Sequence, residues 1–293
     1  MPFDHALMLI DVLRLQGIYD LDIMGGEPFL LKWMPDFIRT VNAAGILANI
    51  STNGSMPQAL GLLAGMSSEN LNIGVSLEGS SAERHNRLTR STNFEKAVRS
   101  ITMLVSMGLD PIVKTVVNRS TMDDILNIVH LLRDIGVRRY FLIHMDLFSK
   151  DPAARQDALS FINFMAFYRR ITAQNPGFEI NKVNASCFDM HALPSGTRCA
   201  GGVRKLSIMP DGSVYPCNLF QHFREFNLGN IFSDNFMAVW NSSKLDFFRS
   251  FERNRCAITN CSNHPSCTGG CPAHGYFHAK DLNSTDIRCL SSS

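Results

Sequence analysis

Short apolar runs alternate with longer segments of helical period through the first half of the chain. Each run is five to seven residues long and is followed by turn residues such as glycine, asparagine or proline. A strand followed by a helix, repeated in this way, is typical of parallel β/α units. The five predicted strands are YDLDIM (19–24), LANIS (47–51), LNIGVSL (71–77), PIVKTVV (111–117) and RYFLIH (139–144).

The segments between these strands carry helix signals. Pro35 suits a first helical turn, Thr121 is a candidate N-cap, and Gly108 and Gly136 are candidate C-terminal stops. A generic doubly wound sheet and a β/α barrel both satisfy this pattern, so both stay open at this point. The predicted helices lie near 35–44, 57–66, 93–107 and 121–135, after an amphipathic N-terminal helix that ends at Gly17.

The pattern changes near residue 180. One long helix is predicted over 153–174, and NPG (175–177) then interrupts the chain. Beyond it, cysteine, asparagine, serine and glycine become frequent, and LSIMPDGSVYPC (206–217) predicts a β-hairpin around a Pro-Asp-Gly turn. We therefore predict two domains, 1–180 and 181–293.

Composition and charge exclude several classes of protein. The 293 residues include 28 basic and 26 acidic ones, a formal charge of +2, which gives no basis for predicting binding to nucleic acid or to an anionic membrane. No apolar run approaches the length of a membrane span, and the N-terminus lacks the features of a signal peptide. We expect a cytoplasmic protein.

The cysteines are confined to the last third of the chain. All eight fall between Cys187 and Cys289, with spacings C-x11-C-x17-C and, after a gap, C-x4-C-x5-C-x3-C-x17-C. Disulfides are rare in reducing compartments, so clustered thiols there indicate metal ligands. Two sets of four thiolates can hold two iron–sulfur clusters or two zinc ions, and spacing alone does not separate these alternatives. Three nearby histidines are weaker candidates, favoured as neighbours of ligands: His264, His274 and His278.

Motifs from both halves of the chain resemble one family. MGGEP (24–28), ISTNGS (50–55) and GVSLEGS (74–80), followed by CAGGVRKLSIMPDGSVYPC (199–217) and CSNHPSCTGGC (261–271), are similar to radical S-adenosylmethionine (SAM) enzymes that carry a SPASM domain. The resemblance implies an α/β fold, a partial (β/α)6 TIM-like barrel without its first strand. It also implies a small cysteine-rich α+β SPASM domain with a β-hairpin.

The resemblance implies two auxiliary [4Fe–4S] clusters with interleaved ligands. One cluster would take Cys187, Cys199, Cys217 and Cys271, and the other Cys256, Cys261, Cys267 and Cys289. Two spacings depart from the family pattern. Four residues rather than two separate Cys256 from Cys261, and the interval from Cys187 to Cys199 is long, which makes Cys187 the least secure ligand.

The same resemblance implies a SAM site at the strand ends. Gly25, Gly26 and Glu27 would meet the methionine end of SAM, since a carboxylate and bare carbonyls accept hydrogen bonds from an ammonium. Arg87 and Arg90 compete for contact with a carboxylate, although a surface role is favoured for each. The residues expected near the ribose hydroxyls or the SAM carboxylate are Ser51, Asn53, Ser76 and Glu78, the last in a position where the family commonly has Asp.

The family's C-x3-C-x2-C motif, which binds the SAM-cleaving cluster, does not occur in the sequence. The expectation is either an N-terminally truncated form of a longer protein or a shortened protein without that chemistry. Asn218 follows Cys217 where sulfatase-maturing relatives have Asp, and an amide is not a proton acceptor at neutral pH. Formylglycine formation is therefore disfavoured.

Three functions remain in competition. The first is a radical SAM/SPASM oxidoreductase that modifies a peptide or protein and receives electrons from a reductant such as flavodoxin or ferredoxin. The second is a non-catalytic iron–sulfur protein, either an electron carrier or a peptide-binding module. The third is an interaction domain stabilised by zinc.

Overall fold

Six strands form one sheet in the computed structural model, which describes residues 1–290. The strands lie in the sheet in the order β1-β2-β3-β4-β5-β6, which is also their order along the chain. The register shows parallel pairing of β1 with β2, β2 with β3, β3 with β4 and β5 with β6. In a doubly wound sheet the strand order reverses at a switch point, whereas strands that lie in the sheet in their chain order are typical of a β/α barrel. The strands are β1 (Asp20–Ile23), β2 (Leu47–Thr52), β3 (Leu71–Ser76), β4 (Ile112–Val117), β5 (Arg139–His144) and β6 (Glu179–Val183).

Helices connect these strands, and most were predicted. The predicted helix 57–66 shortens to five residues, and a helix between β3 and the next predicted one was missed. Gly136 ends its helix in the left-handed conformation, as predicted. The helices are α1 (Phe3–Leu15), α2 (Met34–Ala43), α3 (Pro57–Gly61), α4 (Ala82–Thr89), α5 (Phe94–Ser106), α6 (Ile125–Ile135), α7 (Pro152–Asp157) and α8 (Phe161–Gln174).

Two helix predictions were wrong in detail. The predicted helix 153–174 is two helices, because Ser160 Oγ accepts a hydrogen bond from Asn163 N at 3.2 Å and begins α8 as a new helix. Thr121 is not an N-cap, since α6 begins at Ile125. The Thr121 hydroxyl instead donates to Val116 O at 2.9 Å and closes the turn before that helix.

The two faces of the sheet differ in polarity. Along β2, buried side chains alternate with half-buried ones, so that Ala48, Ile50 and Thr52 face the helices. Buried aliphatic side chains of the helices, such as Ile38 and Leu104, complete this apolar layer. The opposite face is polar, as expected of residues that line an open barrel rather than a second helix layer. It carries Asp20 and Asp22 of β1, Asn49 and Ser51 of β2, Asn72 and Ser76 of β3, Lys114 of β4, Arg139 of β5 and Asn181 of β6.

Hydrogen bonds link the strands across this polar face. Asn72 Nδ2 donates to Asn49 Oδ1 at 2.9 Å, and Arg139 Nη1 donates to Asn72 Oδ1 at 3.2 Å. Arg139 is in turn paired with Asp110, at 3.0 Å between Nε and Oδ2. This chain of side chains pairs polar groups of β2, β3 and β5 with one another, away from the carboxyl ends where parallel β/α folds place their sites.

The chain divides into two compact units. One consists of Ala6–Ile143 and Ala166–Val183 and contains the parallel sheet, and the other consists of Met1–His5, His144–Met165 and the residues from Asn184 onward. The predicted division into 1–180 and 181–293 stays a prediction.

The second unit contains little regular structure. A three-stranded antiparallel sheet is formed by β7 (Ser207–Ile208), β8 (Ser213–Tyr215) and β9 (Gly229–Asn230), and its first two strands are the predicted hairpin. Phenylalanines 220, 223, 226 and 248 pack with Cys187, Cys217 and Cys271 in one buried cluster. Besides α7 and the start of α8, this unit contains four short helices in its described part: α9 (Phe236–Trp240), α10 (Asp246–Arg249), α11 (Pro272–Ala279) and α12 (Ile287–Leu290).

Across residues 1–290, none of the helices combines the length and the apolar character needed to cross a bilayer.

Candidate cofactor sites

Glu27 lies in the turn after β1 and holds the end of β2. Its carboxylate accepts hydrogen bonds from Thr52 Oγ1 at 2.7 Å, from Asn53 N at 2.7 Å and from Phe29 N at 3.1 Å. An ionised carboxylate offers about four acceptor positions, so three are used and one remains for a ligand. The structure thus brings two of the predicted SAM residues, Glu27 and Asn53, into direct contact.

Gly25 and Gly26, which precede Glu27, are exposed. Gly25 has φ +149°, a conformation that side chains rarely adopt, and a Cβ added at either glycine would meet nothing within 4 Å. The backbone therefore passes an open space beside the Glu27 carboxylate. This is the geometry that a small ligand needs if it is to approach backbone carbonyls.

Ser51 is turned toward β4. Lys114 Nζ donates to Ser51 Oγ at 2.9 Å, and its stem crosses the bare backbone of Gly74 on β3. Burial lowers the pKa of Lys114, while Asp22 across the same face acts in the opposite direction. Ser51 is therefore engaged by a lysine that sequence reasoning missed, because one lysine in an apolar strand gives no motif.

Ser76 and Glu78 follow at the end of β3. Ser76 is the last residue of the strand and is half-buried, in register with Lys114. Glu78 Oε2 accepts a hydrogen bond from Val116 N at 2.9 Å. Burial raises the pKa of Glu78 to about 7, and this hydrogen bond offsets only part of the effect. The carboxylate can therefore change protonation near neutral pH.

The two candidate arginines lie on the surface. Arg87 and Arg90 are both exposed, and Arg90 ends α4 in the left-handed conformation with φ 52°. Arg84 of the same helix is instead bound to Asp123, with two hydrogen bonds of 3.0 Å. The surface role that the sequence favoured for Arg87 and Arg90 agrees with these positions.

Four thiols from four separate segments come together in the second unit. Cys187, Cys217 and Cys271 belong to one buried cluster, and Cys199 packs against it. The four thiols are close enough to shift one another's pKa. Burial, together with the neighbouring thiols Cys271 and Cys199, raises the pKa of Cys217 to about 12. Four such groups ionise together only beside a strong positive charge, which a metal centre provides. We call these four residues the first quartet.

The other four thiols line one cavity of about 290 Å³. Cys256, Cys261, Cys267 and Cys289 share its wall with Phe161 and Phe188, whose rings are stacked at 4.2 Å. The volume is roughly ten times the share of one water molecule in the liquid, about 30 Å³, which is far more than a single ion requires. We call these four residues the second quartet.

Cys267 lies in a nest of backbone amides. Gly269 N and Gly270 N donate to its sulfur at 3.2 and 3.3 Å. Both glycines have positive φ, +102° and +80°, and side chains there would meet Asn254 and Asp286 respectively. Two N–H groups aimed at one sulfur stabilise a thiolate. The glycines of CTGGC therefore shape the surroundings of one thiol.

Sequence reasoning missed the side chains that hold these loops. Asn254 Nδ2 donates to His264 O and Cys267 O, at 3.1 and 2.9 Å, and so fixes the loop of the second quartet. Thr268 N donates to Cys187 O at 2.9 Å, which joins the two quartets. Buried Arg198 supports this contact by donating to Thr268 Oγ1 at 2.7 Å. An asparagine, a threonine and an arginine in polar loops carry no distinctive spacing.

The three histidines differ in their surroundings. His264 lines the cavity of the second quartet, and its buried Nε2 has no hydrogen-bond partner within the described part of the chain. His278 Nε2 and the carbonyl of Leu147 are 2.9 Å apart. His274 is fully buried beside Cys271.

The residues present fit four-iron clusters. The cavity of the second quartet, its amide nest and the orphan nitrogen of His264 suit a bulky anionic inorganic core. Across residues 1–290, no three Cys, His, Asp or Glu side chains form a group suited to a single metal ion. The ligand sets that the family resemblance implies, the two quartets, stay a prediction.

Family models match both parts of the chain. The model of the radical SAM superfamily matches residues 1–132, and that of SPASM, an iron–sulfur cluster-binding domain, matches residues 199–272. Mycofactocin maturase MftC of Mycolicibacterium smegmatis is 27% identical over 295 residues, which cover 96% of this chain and 73% of that protein. An AdoMet-dependent heme synthase of Oleidesulfovibrio alaskensis is 25% identical over 303 residues, 93% of this chain and 74% of the other.

A solved structure shares the fold. Streptococcus suis SuiB bound to its precursor peptide SuiA superimposes with a TM-score of 0.78 at 15% identity, covering 96% of this chain and 68% of that one. The predicted fold class is thereby confirmed. Iron–sulfur clusters and SAM are the cofactors of the matched domains. Residues 1–132 therefore match a radical SAM domain, and residues 199–272 match a SPASM iron–sulfur domain.

Proposed function

We propose that this protein modifies a peptide substrate, with two auxiliary [4Fe–4S] clusters held by the two quartets and with SAM bound at the carboxyl ends of β1 to β3. The observation that carries the proposal is the gathering of all eight cysteines into two sets of four. When bound, the clusters supply one-electron donors or acceptors. The peptide class is supported by the names of MftC, a maturase, and of SuiB with its precursor peptide.

The chain's own residues have defined tasks in this proposal. Glu27 accepts one hydrogen bond from the SAM ammonium, while two others hold the end of β2 and a third closes the turn after β1. Gly25 and Gly26 leave room for the methionine moiety. Asn53, Ser76 and Glu78 lie at the same end of the sheet and present groups for the ribose and carboxylate.

Further parts of the proposal concern partners. The protein acts in the cytoplasm and receives electrons from a small reductant protein such as flavodoxin or ferredoxin. All eight cysteines lie in the two quartets, so the printed sequence holds no further thiol for a SAM-cleaving cluster. The residues described here bind and position, and the SAM-cleaving step is assigned to none of them.

Iron content tests the ligand sets. Anaerobic reconstitution with iron and sulfide should load about eight irons per chain, as two four-iron clusters require. Cys187→Ser and Cys261→Ser should each lose about half, and the double variant nearly all. Ser262→Ala, a change at an exposed neighbour of Cys261, is the matched control and should load fully. Two zinc ions in place of iron, or equal loading of all variants, would contradict the proposal.

Equilibrium dialysis with SAM tests the strand-end site. Glu27→Gln removes a charge-assisted hydrogen bond, which contributes about 1.5–3 kcal/mol, so affinity should fall roughly 10- to 100-fold. Glu69→Gln alters an exposed carboxylate of the same unit and should leave affinity unchanged. Equal affinities of the two variants would remove Glu27 from the site. Formation of 5′-deoxyadenosine under reducing conditions separates catalysis from the alternative, a non-catalytic iron–sulfur protein.

A further inference from the structure

His274 has a fixed tautomer. It lies in the first turn of α11, three residues after Cys271, and is fully buried. Leu147 N donates to His274 Nε2 at 2.9 Å. A ring nitrogen that accepts a hydrogen bond carries no proton, so the neutral ring carries its proton on Nδ1. The backbone of Leu147 therefore determines which nitrogen of His274 can donate.

The Nδ1–H group of His274 lies beside a cysteine of the first quartet. Nδ1 is buried and has no hydrogen-bond partner in the described part of the chain. Cys271 is the N-cap of α11 and lies close enough for His274 to lower the pKa of its thiol. The Phe148 ring packs against the imidazole with 4.5 Å between centroids and restricts its rotation. A buried donor without a partner calls for an explanation, and the Cys271 thiolate of a loaded site would supply the acceptor.

The groups around His274 leave this arrangement no alternative. Asp146 Oδ1 lies 3.6 Å from Nε2, but it is bound by Arg288 at 2.9 Å. His278, one turn later on α11, bonds to the carbonyl of the same Leu147. One backbone residue thus orients two imidazoles, and only that of His274 faces a cysteine of the first quartet.

We propose that His274 is a positioning residue that donates a fixed Nδ1–H···S hydrogen bond to the Cys271 thiolate and thereby raises the reduction potential of the cluster bound by the first quartet. The inference rests on the ligand sets proposed above. Hydrogen bonds to ligand sulfur withdraw electron density and favour the more negative, reduced cluster. The second quartet receives its hydrogen bonds from the backbone of Gly269 and Gly270, so its potential does not depend on His274.

The test is a redox titration of the reconstituted full chain, monitored by electron paramagnetic resonance. His274→Phe keeps an aromatic ring but removes the donor. One of the two clusters should titrate at a lower potential, with about a tenfold change in its reduced-to-oxidised ratio, or about 59 mV for a one-electron couple. His274→Gln can still accept from Leu147 and donate to sulfur, so it should recover part of the shift. His278→Gln, which leaves the sulfur untouched, is the control and should match the wild type.

A measurement on the unmodified sequence covers the case in which variants do not fold. Protein grown with ¹⁵N-histidine and then reduced should show, by pulsed electron paramagnetic resonance, a histidine nitrogen coupled to the cluster of the first quartet, distinct from any coupling of His264 to the other cluster. Absence of that coupling, or unchanged potentials in His274→Phe, overturns the inference while leaving the clusters intact. A wild-type chain that loads no iron contradicts the ligand sets instead, so the two failures are distinguishable.

Discussion

Arg288 and Asp286 form a double hydrogen-bonded ion pair in which both side chains are 0% exposed. Arg288 Nε and Nη2 donate to the two carboxylate oxygens at 3.0 and 2.9 Å. Asp286 Oδ2 also accepts the backbone N–H of Cys271 at 2.9 Å, and Arg288 Nη1 reaches Asp146 at 2.9 Å. The pair therefore fastens the last helix to the segment that carries Cys271 and to the segment that follows β5.

Arg288→Met should destabilise this unit strongly. The substitution leaves the Asp286 carboxylate buried without its partner, and breaking one side of a buried pair costs about 3–5 kcal/mol. Denaturant unfolding measures the loss. Arg255→Met removes an exposed pair with Glu252 and should change the unfolding free energy by less than about 1 kcal/mol. Similar values for the two variants would mean that the buried pair contributes little.

Gly74→Ala should have opposite effects in two backgrounds. An added Cβ would overlap Cε and Nζ of Lys114, so the flexible tip of the lysine must leave Ser51, and the lost hydrogen bond costs about 0.5–1.5 kcal/mol. In a Lys114→Ala background the space is free, and the alanine should stabilise by about 0.4–1 kcal/mol by restricting the unfolded chain. A double-mutant cycle measures the coupling. A coupling energy of zero would show that Lys114 does not occupy the space above Gly74.

Two adjacent aspartates should differ in their contribution to stability. Asp124 is buried, and its carboxylate accepts hydrogen bonds from Ser80 N at 2.7 Å and from Ser80 Oγ at 2.8 Å. The Asp123 side chain is 61% exposed and pairs with Arg84. Asp124→Ala leaves the two half-buried donors of Ser80 without this partner, at about 1–3 kcal/mol in all. Asp123→Ala should cost less than about 1 kcal/mol. Thermal unfolding of both variants measures the two losses of stability, and a larger loss for Asp123→Ala than for Asp124→Ala would contradict the argument.

The sequence predicted what depends on local pattern. Five of the six strands were recognisable because apolar residues dominate them, and β6 was missed because EINKV, an edge strand, is mostly polar. The eight cysteines were recognisable as two groups because their spacing follows a family. The residues that connect these groups, such as Asn254 and Arg198, were not predictable, since their partners are 10 to 72 residues away. The lengths of the shortest helices depend on capping contacts, which the helix propensities of the residues do not reveal.

Glu78 should make stability depend on pH in a direction opposite to that of an ordinary salt-bridged acid. The pKa of Glu78 is about 7 in the folded chain, against a reference value of 4.5 for an unperturbed glutamate. Between pH 4.5 and pH 7, the folded state therefore binds more protons than the unfolded state. Stability is therefore highest below pH 4.5 on account of this group and falls as pH rises to about 7. The difference amounts to at most about 3 kcal/mol. Glu78→Gln abolishes the dependence, so the variant should lose less stability than the wild type between pH 5 and pH 8. Glu83→Gln, at an exposed site on α4, should follow the wild type. If Glu78→Gln and the wild type lose equal stability over this range, the carboxylate is ionised throughout and its burial carries no penalty.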